Sequence, residues 1–155
     1  MLSSVVHDPP QTLRAIDGST DMKKTYRGSC HCGAVKFEAE LDLSEGTGKC
    51  NCSICTKQRC WEAFVSPEAF RLLAGEQNLT TYQFGARNMH HLFCKTCGVH
   101  AFSSGNIPEL GGAFWAVQVA CLDDADPAEL IAAPVRYFDG RNNAWEREPA
   151  ETRHL

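Results

Sequence analysis

The sequence predicts a mainly β domain with one or two short helices. Apolar and polar residues alternate in short segments from Tyr26 to Cys121, the period of half-buried strands. Glycine, proline and asparagine clusters separate those segments, and no helical period is sustained. With 155 residues, 43% hydrophobic and 22% charged, the chain has material for one core rather than two full domains.

The elements follow in chain order. Residues 1–24 are polar, contain Pro9-Pro10 and read as a loose N-terminal arm, with a domain over 25–147 and a tail over 148–155. Val35, Phe37, Ala39 and Leu41 alternate with Lys36, Glu38 and Glu40, which predicts a strand with one buried face. Trp61 to Val65 is a second, shorter strand. Ser66-Pro67-Glu68 carries a cap, a proline at the first helical position and an early acid, so a short helix is expected from there to about Gly75. Leu79–Phe84 and Met89–Phe93 flank Gly85-Ala86-Arg87-Asn88 as a hairpin. Strands over Val99–Ser103 and Ala113–Cys121 come next, with Gly111-Gly112 turning into the second. A helical turn after Pro127 and a strand over Val135–Phe138 complete the series.

Nine cysteines dominate the chemistry. The N-terminus has neither a basic start nor a sustained apolar stretch, and no apolar run approaches the ~20 residues of a membrane-spanning helix. The expectation is a non-secreted, cytoplasmic protein, in which cysteines serve metal ligation, thiol chemistry or burial rather than disulfides. An odd number also argues against complete pairing.

Cys30-His31-Cys32-Gly33 and Cys94-Lys95-Thr96-Cys97-Gly98 share a glycine directly after the last cysteine. Glycine there permits a left-handed turn that aims backbone N–H groups at sulfur. Two such knuckles supply Cys30, Cys32, Cys94 and Cys97 to one structural zinc with four thiolates. The 61 residues between Cys32 and Cys94 form the loop that this ion would close. The middle cluster, Cys50-Asn51-Cys52-Ser53-Ile54-Cys55, has three thiolates and no following glycine. Three ligands leave a tetrahedral ion one open position, for water or a substrate thiol. Alternatively Cys60, Asn51, His90, His91 or His100 closes that site and makes it structural. An iron–sulfur cluster would need a cysteine run that is absent. Cys60 and Cys121 read as core thiols, with Cys60 also available as a ligand or resolving thiol. His31 reads as a surface or supporting residue. His90 and His91 point to opposite faces of their strand, so one of them could face the middle cluster and move a proton.

The order G-S-C-H-C-G-A-V-K-F-E, C-N-C-S-I-C and H-x-F-C-K-T-C-G-V-H-A-F resembles the glutathione-dependent formaldehyde-activating enzyme family, which includes centromere protein V. The resemblance spans about Tyr26 to Trp145; Leu72-Leu73-Ala74-Gly75, Thr80-Thr81-Tyr82 and Cys121-Leu122-Asp123 look closer to the centromere protein V branch. It implies an Mss4-like β-tent of small antiparallel sheets around two zinc ions. It also implies a carbon–sulfur lyase type of activity, the addition of glutathione as co-substrate to formaldehyde, with Cys50, Cys52 and Cys55 holding the active-site zinc. Lys49, Lys57 and Arg59 flank that cluster, where they could meet glutathione carboxylates; equally, they are solvated charge that compensates the thiolates. A non-catalytic zinc module that binds a partner protein is the competing reading, because fold does not dictate function.

The formal net charge of −4 and pI near 5.8 lack the basic excess of a nucleic-acid binder. Counting seven thiolates against two zinc ions moves the charge to about −7. The expected partners are a small thiol and aldehyde, not membrane or nucleic acid, while exposed strand edges leave homo-oligomers open.

Overall fold

The computed structural model describes residues 22–155. The arm expected over residues 1–24 lies almost entirely outside the described residues, and Lys24 already opens the first strand. Two sheets form the domain. The smaller has the order β1-β2-β5, from β1 (Lys24–Ser29), β2 (Lys36–Leu41) and β5 (Phe70–Ala74). The larger has the order β10-β3-β4-β9-β8-β7-β6. It contains β3 (Thr47–Cys50), β4 (Glu62–Val65), β6 (Leu79–Tyr82), β7 (Met89–Cys94), β8 (His100–Ile107), β9 (Gly112–Gln118) and β10 (Val135–Phe138). All pairings are antiparallel except β3 with β10. Two short helices, α1 (Ser53–Gln58) and α2 (Pro127–Ala132), complete the mainly β architecture expected from the sequence.

The alternation behaves as expected on β2. Phe37, Ala39 and Leu41 are buried, Lys36 and Glu40 are exposed, and Glu38 is paired with Arg27 and Arg71 across the strand neighbours. Phe37 meets Phe70 of the neighbouring strand at 5.7 Å and Phe102 of the larger sheet at 5.3 Å; Trp115, also from the larger sheet, stacks on Phe70 at 4.0 Å. This aromatic layer joins the two sheets, and its offset and edge-on contacts add to the burial of apolar area.

One expected element is corrected. Pro67 starts a single 3-10 turn, Pro67–Ala69, rather than a helix running to Gly75, and the chain then becomes strand β5. The capping residues mark a real helical start, but Phe70 and Leu72 must pair beside Ala39 and Phe37 to complete the small sheet. Tertiary burial outweighs the local start signal. The strand expected over Ala113–Cys121 ends at Gln118 and passes into a 3-10 turn, Val119–Cys121. The hairpin is as expected, with Tyr82 opposite His91 and Leu79 opposite Cys94.

Candidate metal and active site

Cys30 follows the end of β1, and Cys94 closes β7, so one knuckle belongs to each sheet. The two turns share a frame. Cys30 N–H donates to Val35 O at 3.1 Å, and Cys94 N–H donates to Val99 O at 3.0 Å. Gly33 and Gly98 have φ of 75° and 74°, and an added Cβ at either would meet no atom within 4 Å. Glycine is therefore required by backbone conformation rather than by space. Sulfur atoms of Cys30, Cys32, Cys94 and Cys97 lie within 4.8 Å of one another, with Cys30 to Cys32 at 3.6 Å and Cys32 to Cys94 at 3.7 Å. Val35 N–H donates to Cys30 Sγ at 3.3 Å. Backbone N–H groups of Cys32 and Val99 hold the Cys97 thiol down to about 6, a preparation for thiolate ligation. Four sulfurs in one convergent group fit a tetrahedral zinc.

The middle cluster is local. Cys50 is the last residue of β3, Cys52 caps α1, and Cys55 lies within that helix. Their sulfurs also lie within 4.8 Å of one another. Helix α1 was not evident from the sequence, because its six residues bury no side chain and carry no apolar period. Cys52 falls to about 2, chiefly through the Cys50 and Cys55 thiols and then the backbone N–H groups of Cys55 and Ile54. The contact with Cys52 pushes Cys50 up to about 11, and the contacts with Cys50 and Cys52 raise Cys55 strongly. One thiolate forms readily, and its neighbours keep their protons to bond it. All three ionise together only if a cation offsets the repulsion, so the trio fits a metal ion.

Asn51 is engaged elsewhere. Its Nδ2 donates to Asp139 at 2.7 Å, and its Oδ1 accepts from Arg141 N at 2.8 Å, which ties the cluster to the turn after β10. At Gly140 in that turn, a Cβ would lie 2.7 Å from Cys50 Sγ and 2.5 Å from Trp145. The backbone thus closes directly over one thiol, an approach only glycine allows. Among the described residues, neither His90 nor His91 joins the three sulfurs as a fourth close donor, and Cys60 and His100 belong to a separate group with Glu62.

His90 is exposed and His91 is buried, as strand alternation requires. His91 stacks on Phe84 at 5.7 Å, and burial lowers its pKa. Phe84, Tyr82, Ser53, Ile54 and Lys57 line an open recess of about 190 Å³ beside α1. Lys49 Nζ donates to Leu155 O at 3.0 Å, and Arg59 Nη1 donates to His154 O at 2.5 Å, so the C-terminal residues lie against two of the three flanking cations. Sequence reasoning missed this contact, since no local pattern links residue 59 to residue 154. Arg59 itself is left-handed at φ 55°, and this turn brings Cys60 N–H onto Cys55 O at 3.1 Å. Cys60 is 6% exposed, as expected of a buried thiol, and Cys121 is half-buried against the core. Glu62, which the sequence did not single out, is pushed up to about 8 by burial and then by the neighbouring Cys60 and Cys52.

Residues 25–138 match the family described as glutathione-dependent formaldehyde-activating enzyme. Among solved structures, the chain is similar to a Rhodobacter sphaeroides protein at 34% sequence identity and a TM-score of 0.61. That likeness covers 71% of this chain and 99% of the other.

Proposed function

Because the chain belongs to the glutathione-dependent formaldehyde-activating enzyme family, we propose that it joins the sulfur of a thiol, with glutathione the leading candidate, to formaldehyde or another small aldehyde. This is a carbon–sulfur lyase reaction run in the synthetic direction. The observation that carries the reading is the trio Cys50, Cys52 and Cys55, three convergent sulfurs with no fourth Cys, His, Asp or Glu donor in their group among the described residues. These three would hold a zinc ion with a position left for a ligand, and Cys30, Cys32, Cys94 and Cys97 would hold a second, structural zinc. Bound at the trio, zinc supplies the charge that ionises a thiol, which when free has a pKa of about 8.5 and is mostly protonated at neutral pH.

In the balanced reaction the thiol gives up its proton, sulfur bonds to the carbonyl carbon, and the carbonyl oxygen takes up a proton. His91 is our candidate for proton movement: burial lowers its pKa and favours the neutral ring, while the Cys52 charge acts in the opposite sense. The open recess formed by Ile54, Tyr82 and Phe84 offers an apolar wall against which a small aldehyde could rest. Lys57 at its edge would meet a glutathione carboxylate, with Lys49 and Arg59 available where the ligand displaces the His154 and Leu155 carbonyls. The domain that performs this is 25–147. Nine free thiols suit a reducing compartment, and the cytoplasm is the proposed location. No helix among the described residues is long and apolar enough to cross a membrane.

The test is NMR exchange between formaldehyde, glutathione and their adduct, read against the uncatalysed rate. Zinc-loaded protein is expected to accelerate exchange, and Cys52→Ser to abolish the acceleration. A protein that retains zinc but leaves exchange at its uncatalysed rate would instead be a non-catalytic, partner-binding zinc module.

A further inference from the structure

Beside the trio lies a second group of metal-type donors for which the proposed reaction has no use. Cys60 follows the left-handed Arg59, Glu62 opens β4, and His100 opens β8. Their ligand atoms, one sulfur, one carboxylate oxygen and one ring nitrogen, lie within 4.8 Å of one another. Cys60 is buried and Glu62 and His100 are half-buried. Among the described residues no Lys or Arg pairs with Glu62, so this carboxylate sits beside a thiol without a cation.

Hydrogen bonding sets the state of His100. Trp61 N–H donates to Gln118 Oε1 at 3.2 Å and thereby fixes which end of the amide faces inward. Gln118 Nε2 then donates to Glu62 at 3.0 Å and faces His100 Nδ1 at 3.4 Å. An amide nitrogen only donates, so Nδ1 presents a lone pair and the ring proton lies on Nε2, which donates to Ser103 Oγ at 2.8 Å. Ser103 in turn donates to His91 Nδ1 at 3.2 Å. A ring with one free nitrogen and the other N–H anchored to a second partner is in the form that ligates metals. The Gln118 contact at 3.4 Å is long, which leaves the lone pair free to turn to a cation. Cys60 Sγ makes a weak 3.6 Å bond to Gln58 Oε1 and also lies against the Cys55 thiol and His100. His100 and Gln118 also line an open recess of about 330 Å³ with Gln58, Arg59 and Val99, which gives an ion a route in.

We infer that Cys60, Glu62 and His100 form a third metal site, for zinc or a similar divalent cation, adjacent to the three-thiol cluster and separate from it. Sulfur, imidazole and carboxylate are a donor set that zinc accepts, with solvent completing four ligands. Binding releases the Cys60 thiol proton to solvent.

The full chain, equilibrated with excess zinc and passed through a desalting column, tests this by metal analysis. Three zinc ions per chain are expected. Glu62→Gln and His100→Gln should each lower this to two, and Ser103→Ala, which keeps the ligands but removes the anchor of the His100 Nε2–H, should weaken retention by about 10–100-fold. Cys52→Ser should remove a different ion and leave the mixed site filled, so failure of the proposed reaction and failure of this site are read separately. Cobalt(II) added as a third equivalent to protein carrying two zinc ions supplies a measurement independent of variant folding: the added equivalent should give sulfur-to-cobalt absorption from a single thiolate. Saturation at two zinc ions, a third ion that persists in both glutamine variants, or no thiolate–cobalt absorption would overturn the assignment.

Discussion

The four-thiol and three-thiol clusters use the same side chain in opposite ways. The first draws Cys30 and Cys32 from the small sheet and Cys94 and Cys97 from the large one, so its four sulfurs meet only when both sheets are in place. The second takes all its sulfurs from six consecutive residues, framed by the end of β3 and the start of α1. Burial does not divide them: Cys30 and Cys94 are buried but Cys32 is exposed, and Cys50 is buried while Cys52 and Cys55 are half-buried. A cluster that closes a long loop stabilises the fold, whereas a local cluster closes almost none and is free to present an ion to a ligand.

The largest expected effect comes from breaking the seam. Cys30→Ser should remove the closure of the 61-residue loop, a loss of about 4 kcal/mol by chain-entropy reasoning, measured by denaturant unfolding of zinc-loaded protein. Cys52→Ser should lower thiol–aldehyde exchange by roughly 30-fold or more, the ratio between a fully ionised thiol and one ionised only to its free extent near pH 7, yet leave unfolding nearly unchanged. Equal destabilisation by the two variants would break the comparison. Gly140→Ala drives a Cβ against Cys50 Sγ and Trp145, and should cost about 1–3 kcal/mol through overpacking. It should also speed chelator removal of the trio's ion while sparing the seam ion, followed by metal release kinetics.

A smaller effect separates the clusters by pH. Asn142 and then Asn51 hydrogen bonds hold the buried Asp139 carboxyl below its ordinary value. A depressed folded pKa gives stability that is present above the unfolded value, about 3.9, and is lost as pH falls through the folded one. Asp139→Asn should therefore melt at a lower temperature than the parent at pH 7, and the gap should narrow below about pH 4. A gap unchanged in acid would show that the Asp139 charge contributes nothing to the turn over Cys50. The smallest effect is expected at Lys57→Ala, where loss of one exposed charge should raise the KM for glutathione by up to about 5-fold without changing kcat. Steady-state kinetics with glutathione and an uncharged thiol distinguish this, since only the charged thiol should respond.

Much of the site was legible from the sequence because chelation is encoded locally. Cysteine pairs two or three residues apart, with glycine at the left-handed position, can be assigned before any sheet is known, and Gly33 and Gly98 take up that conformation. Alternation likewise placed Phe37 and Ala39 on a buried face and set His90 and His91 on opposite faces, because a strand's side-chain period needs no partner to define it. The helix expected after Pro67 and the unforeseen α1 show where such reading stops. Short segments carry too few residues for a period, and burial of Phe70 and Leu72 against β2 decided the first of them.

The sequence alone determined the fold class, the two cysteine clusters and the acidic balance, all of which rest on spacing, period or composition. Only the tertiary structure decided that Glu62 and His100 meet Cys60, that Gln118 orients His100, and that the His154 and Leu155 carbonyls reach Arg59 and Lys49. The order β4-β9-β8 lays these side chains side by side although they stand up to 58 positions apart. Strand order is a property of the whole packed core, set by which apolar faces can be buried together, and no single segment carries it.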